Sequence, residues 1–201
     1  MAKNPNKWNV CDAKADLVAH SYECSAGNDP WKIRLTDLAG VEVCNYVLGT
    51  PYIVEVSTIA VETEDPPAAF LLHSEDKQTG GYRPVGEFIL EEKVAKKAGL
   101  DAVAEILKDN RKDCVKHLNC EKKNDKRYLT HSKTNCRTRP ETMKFIWYAT
   151  LDSAVAKIEF RMAARNGKGK YWTNIKSPAY EGVRKADLQC IVDAPVKEIL
   201  G

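Results

Sequence analysis

Polar and apolar residues alternate one by one through several short stretches of this chain. In "WKIRLTD", Trp31, Ile33 and Leu35 alternate with Lys32 and Arg34, the two-residue period of a strand with one wet face. "LGTPYIVEVST" opens on a Gly-Thr-Pro turn and then sets Tyr52, Val54 and Val56 on one side. "AAFLLHS" predicts another strand and "EFILEE" a short one, set off by the turn residues of "EDPP" and "TGGYRPVG". The two clearest strands come later. "MKFIWYA" places Met143, Phe145 and Trp147 together, and "AKIEFRMAA" places Ile158, Phe160, Met162 and Ala164 opposite Lys157, Glu159 and Arg161. "LDSAV" connects them, and the Gly-rich "RNGKGKYWTN" predicts a hairpin into Tyr171 and Trp172.

The period changes once. From residue 92, "EKVAKKAGLDAVAEILKDNRKD" brings Val94, Leu100, Val103, Ala104, Ile106 and Leu107 to helical spacing, with an interruption near Gly99. Strands spaced by turns, with no βαβ rhythm, predict a mainly β protein: an antiparallel β-sandwich with a short helical insertion at about 92–112. Residues 1–28 read as an N-terminal arm held by cysteines, 29–180 as the sandwich domain and 181–201 as a C-terminal tail.

At 201 residues the chain is long enough to bury roughly 70% of its unfolded surface in a core. Its 43% hydrophobic and 29% charged residues are those of a globular protein. No stretch reaches the run of about 18 apolar residues that a membrane-spanning helix needs. Cysteine usage changes the picture more. Cys11, Cys24, Cys44, Cys114, Cys120, Cys136 and Cys190 make a density that suits an oxidising compartment, so a mature secreted chain with its signal peptide removed is expected. None forms a C-x-x-C and the four histidines complete no zinc spacing, so no metal is expected. All seven are disulfide candidates. Their odd number leaves at least one thiol over, and the pairing stays open.

Candidate chemistry concentrates in "LTHSKTNCRTRPETMKFIWYAT", residues 129–150. A Cys136 thiolate beside His131 is the nucleophile reading, but nothing in a loop fixes that geometry and no third group orients the histidine. The alternative is that Thr130, His131 and Ser132 satisfy backbone groups where a strand begins. His73 and His117 read as structural or exposed histidines, and Trp147 and Trp172 as core. No G-x-G-x-x-G, Walker, H-E-x-x-H or G-x-S-x-G motif occurs, so neither an enzyme nor a cofactor is expected. Charge is more informative. Residues 108–144 hold 12 lysines and arginines against 5 acidic residues, while the whole chain is only +3, so the remainder is net negative. Lys122, Lys123, Lys126, Arg127, Lys133, Arg137 and Arg139 are the candidate ligand-binding residues, suited to phosphate or sulfate groups. The expected partners are anionic surface polymers of the lipopolysaccharide, lipoteichoic acid or heparan sulfate type. Nucleic acid is not expected, because the aromatics that would stack on bases are committed to strands.

The order of these blocks resembles the Reeler (reelin N-terminal) domain. "LGTPYIVEV" is similar to the family's turn, tyrosine and strand, "AAFLLHSED" to its G-F-L-L strand with Ala69 in place of glycine, and "RPVGEF" to its P-V-G-x-F turn. A cysteine followed by "LTHSK" resembles its T-H-S block, "MKFIWYA" its tryptophan strand, "AKIEFRMAA" its V-x-F strand and "KYW" its closing aromatic pair. The resemblance spans roughly residues 30–172. It implies an immunoglobulin-like fold in a secreted, non-enzymatic protein of adhesion or recognition. In the insect noduler-like branch it implies innate defence through binding of microbial surfaces. The second function class is a secreted carrier or matrix protein that encloses a small apolar ligand.

Overall fold

The computed structural model describes residues 31–58, 69–77, 84–97, 99–109, 115–118, 126–132, 142–151, 156–165 and 171–185. The expected N-terminal arm, most of the C-terminal tail, and Cys11, Cys24, Cys114, Cys120, Cys136 and Cys190 lie outside these residues.

The strands are β1 (Trp31–Thr36), β2 (Asn45–Val47), β3 (Pro51–Thr58), β4 (Ala69–Asp76), β5 (Glu87–Ile89), β6 (Val115–His117), β7 (Tyr128–His131), β8 (Thr142–Tyr148), β9 (Lys157–Arg165) and β10 (Tyr171–Val183). They form a four-stranded sheet in the order β1-β3-β8-β5 and a six-stranded sheet in the order β2-β10-β9-β4-β7-β6. The mainly β sandwich expected from alternation is therefore what the chain forms. Pairing is antiparallel except where Glu181–Val183 runs parallel to Asn45–Val47. This last stretch of β10 carries regular structure beyond residue 180.

Alternation fills the space between the sheets. Phe145, Trp147 and Phe160 are 4%, 0% and 0% exposed. Trp147 on β8 meets Phe160 on β9 edge to face, with ring centres 5.2 Å apart, and Tyr46 on β2 at 5.3 Å. Trp31 and Trp172 make a second edge-to-face pair at 4.7 Å. Two buried phenols are hydrogen-bonded to backbone: Tyr46 donates to the Ala156 carbonyl at 2.8 Å on the six-stranded side, and Tyr180 of β10 accepts from the Leu35 amide of β1 at 2.9 Å, joining the two sheets. Burial pushes both up to about 12. Gly86, at φ 70, sits so close to the indole that an added Cβ would lie 2.6 Å from Trp147 ring atoms.

β10 is irregular, with its register shifting between Trp172 and Ile175 and again between Lys176 and Ala179. The second shift contains Pro178, which has no N–H to give a ladder. Ser177 compensates, its hydroxyl accepting the Phe160 amide at 2.9 Å.

The helical insertion forms two helices, α1 (Glu92–Lys97) and α2 (Asp101–Asp109). Between them Gly99, at φ 72, closes α1: its amide donates to Lys96 O and that of Leu100 to Ala95 O, the paired bonds of a left-handed helix stop. Ala95, Val103, Ala104 and Leu107 pack on Ile53, Ile89 and Ile146, so the helices cover part of the outer face of the four-stranded sheet.

Elsewhere on that face Glu55 is buried between Arg34 and Lys144. Its carboxylate accepts from Arg34 Nε at 2.7 Å and lies 2.9 Å from Lys144 Nζ. Burial alone would raise its carboxyl, but the two hydrogen-bonded cations outweigh that and hold it below the ordinary 4.5. The folded chain thus gives up this proton more readily than the unfolded chain. The resulting stability is complete above 4.5 and drains away as pH falls through the lowered value. Glu55→Gln should therefore flatten the fall in urea midpoint between about pH 5 and 3. An acid limb as steep as that of the parent chain would remove Glu55 from the account.

The outer face of the six-stranded sheet departs from expectation. Glu159 and Arg161 alternate with core residues and read as a wet face, yet both are buried, with His73 and Glu75 of β4. Arg161 lies between two carboxylates: its Nε contacts Glu75 Oε2 and its Nη2 is 3.2 Å from Glu159 Oε1. Lys77 reaches Glu159 at 3.2 Å. His73 rests against the Tyr128 ring, with centres 5.4 Å apart.

Candidate functional site at the basic sheet edge

The described part of the most basic segment includes β6 and β7, at one edge of the six-stranded sheet. Lys126 and Arg127 are half-buried immediately before β7. Lys122, Lys123, Lys133, Arg137 and Arg139 lie outside the described residues. The chain enters β7 at Tyr128 and leaves at His131, about 10 Å further on at the usual rise per residue. Lys126 and Arg127 thus sit at one end of the strand.

Lys116 joins this edge, and the sequence reading did not single it out. In Val115–Lys116–His117 the outer residues turn inward, Val115 onto the core and His117 toward β5, while Lys116 is exposed. The signal was a single alternation, too short to separate from chance.

Among the described residues, Phe88 of β5 hydrogen-bonds the hairpin to the opposite sheet. Phe88 donates its amide to Lys126 O at 2.8 Å, and its carbonyl accepts from His117 Nε2 at 2.9 Å. Because a carbonyl only accepts, the neutral imidazole carries its proton on Nε2. Burial lowers His117 from 6.5 and nearby Lys126 adds to the effect, against the Phe88 hydrogen bond, Glu91 and Glu87.

The T-H-S block is placed differently from the reading that made it a loop before a strand. Tyr128–His131 is itself a strand, paired with β4 and β6. Thr130 donates to Phe70 O at 2.8 Å, so its hydroxyl does satisfy a backbone group, of the neighbouring strand. Cys136, whose reading as a nucleophile the sequence does not favour, lies outside the described residues. Cys44 is an exposed free thiol. Among the described residues no group of three or more His, Cys, Asp or Glu side chains could hold a metal ion, and no helix is long and apolar enough to cross a membrane.

The Reeler domain family model matches residues 105–187, a span that includes β6 to β10. The crystal structure of the human F-spondin reeler domain has a similar fold, with a TM-score of 0.52 at 12% identity over 81% of this chain and 95% of that one. No curated protein sequence matches. Over residues 105–187 the chain is thus similar in sequence to the Reeler domain family, and its sandwich has the fold of a solved reeler domain.

Proposed function

We propose that this chain is a secreted, non-enzymatic recognition protein of innate defence, related to the noduler-like insect proteins, which binds anionic polymers of microbial or cell surfaces. Reeler domains occur in extracellular proteins, and the family points to adhesion. The observation that carries the ligand class is the gathering of Lys116, Lys126 and Arg127 on one clasped sheet edge within the most basic segment of the chain. Cations on a fixed hairpin meet sulfate or phosphate groups without first ordering a loop. The carrier reading has less support among the described residues, where Trp147 and Phe160 are buried between the sheets and Ile146 and Leu107 between sheet and helices.

Binding to immobilised heparin and to lipopolysaccharide, followed against salt, tests this. Reversing Lys116, Lys122, Lys123 and Lys126 to glutamate should weaken binding about tenfold or more at physiological salt and flatten the salt dependence. Undiminished binding by that variant would place the ligand site elsewhere. Reversing Lys133, Arg137 and Arg139 separately shows whether the two groups of cations act together.

A further inference from the structure

The bonds between β5 and the basic hairpin do more than close the sandwich. β5 is the outermost strand of its sheet, so the side of Phe88 that faces away from β8 has no strand beside it in that sheet. The hairpin supplies both partners instead: Lys126 O for the amide at 2.8 Å and His117 Nε2 for the carbonyl at 2.9 Å. We propose that this clasp is an acid-sensitive latch, in which protonation of His117 loosens the hold of the β6–β7 hairpin on β5.

The neutral ring suits its surroundings, with one N–H directed at one carbonyl. An imidazolium there would be a half-buried cation beside Lys126. Among the described residues, Lys126 faces it from the chain before β7, Glu87 from β5 and Glu91 from the turn into α1, while Lys116 projects from the other face of β6. The hydrogen bond to Phe88 and the two glutamates favour the cation. Glu87 is also engaged by the Tyr148 hydroxyl at 3.5 Å, and burial together with Lys126 prevails. The closed latch therefore prefers the uncharged ring, whereas an open one takes up a proton at the ordinary 6.5. As pH falls below that value the closed form loses ground until His117 is protonated in place. A charged His117 also adds a cation to the edge. That the loosened edge then meets anionic polymers more tightly rests on the function proposed above.

NMR separates the two ideas. The His117 ring protons and the exchange protection of the Phe88 amide, corrected for intrinsic exchange, are followed from about pH 7.5 to 5 with no ligand. Protection of Phe88 should fall about tenfold along the His117 titration, while that of Ile146 in the same sheet holds. Protection that stays constant through the titration of His117 overturns the latch. Heparin affinity is then read over the same range, and should rise about threefold in the parent chain and stay flat in His117→Gln. A latch that opens in a chain that binds neither heparin nor lipopolysaccharide at any pH leaves the latch standing and removes the proposed function. Should the glutamine variant fail to fold, the ligand-free titration of the parent chain decides alone.

Discussion

Replacing Arg161 by leucine should cost about 3–5 kcal/mol of stability, because it takes the guanidinium away from two buried carboxylates. Arg161 is 5% exposed and is held between Glu75 and Glu159, which are buried as well. Lys77 would remain to partner Glu159, but it is partly exposed and touches one of the two. Substituting all three members of the cluster by apolar residues of similar volume should recover most of the loss, since the penalty comes from the uncompensated charge more than from the missing attraction. Urea denaturation of the single and triple variants measures both. A loss under about 1 kcal/mol for Arg161→Leu would mean that this face is solvated in solution and that the ion pairs there behave as surface pairs.

Truncating Trp147 to alanine should remove about 3–5 kcal/mol, through lost burial and the cavity left between the sheets. The indole touches Tyr46 and Phe160 edge to face and donates from Nε1 to Val85 O at 3.2 Å. Gly86 is shaped around it, so the backbone there gains nothing to contact when the ring goes. For a chain of this length the melting temperature should drop by about 6–20 °C. Trp147→Phe, which keeps a ring but loses the N–H donor, should fall between. Thermal melts followed by near-ultraviolet circular dichroism decide the matter, and a melting point within about 2 °C of the parent would show that the two sheets do not close over this side chain.

The strands legible in the sequence were those long enough to show a period, together with the three-residue β5, which the turn residues ahead of it mark off. β1, β3, β4, β8 and β9 span six to nine residues each, enough for three or more alternations. β2 and β6 have three residues and β7 four, and no period can be read from so few. β10 hid for a different reason. Two register shifts break its alternation, so the stretch beyond Trp172, with Pro178 inside it, does not read as a strand. The helix pair was visible in its 3.6-residue spacing, and Gly99 marked the break. The basic edge was half legible: the charge excess is a property of the segment, but Lys116 gains its place only from the strand that carries it.

What the chain determined on its own is which side of each long strand is apolar, because alternation is written locally, residue by residue. Trp31, Trp147 and Phe160 are inside for that reason. Tertiary structure decided the opposite faces. Lys32 and Glu159 both occupy the polar side of an alternating strand, yet one is exposed and the other buried, according to what lies above the sheet at that point. It also decided that His117 meets Phe88, 29 positions away in the chain, and that Arg161 meets Glu75. Contacts between distant residues are fixed by how the sheets close around a shared core, and nothing in either neighbourhood of the sequence encodes them.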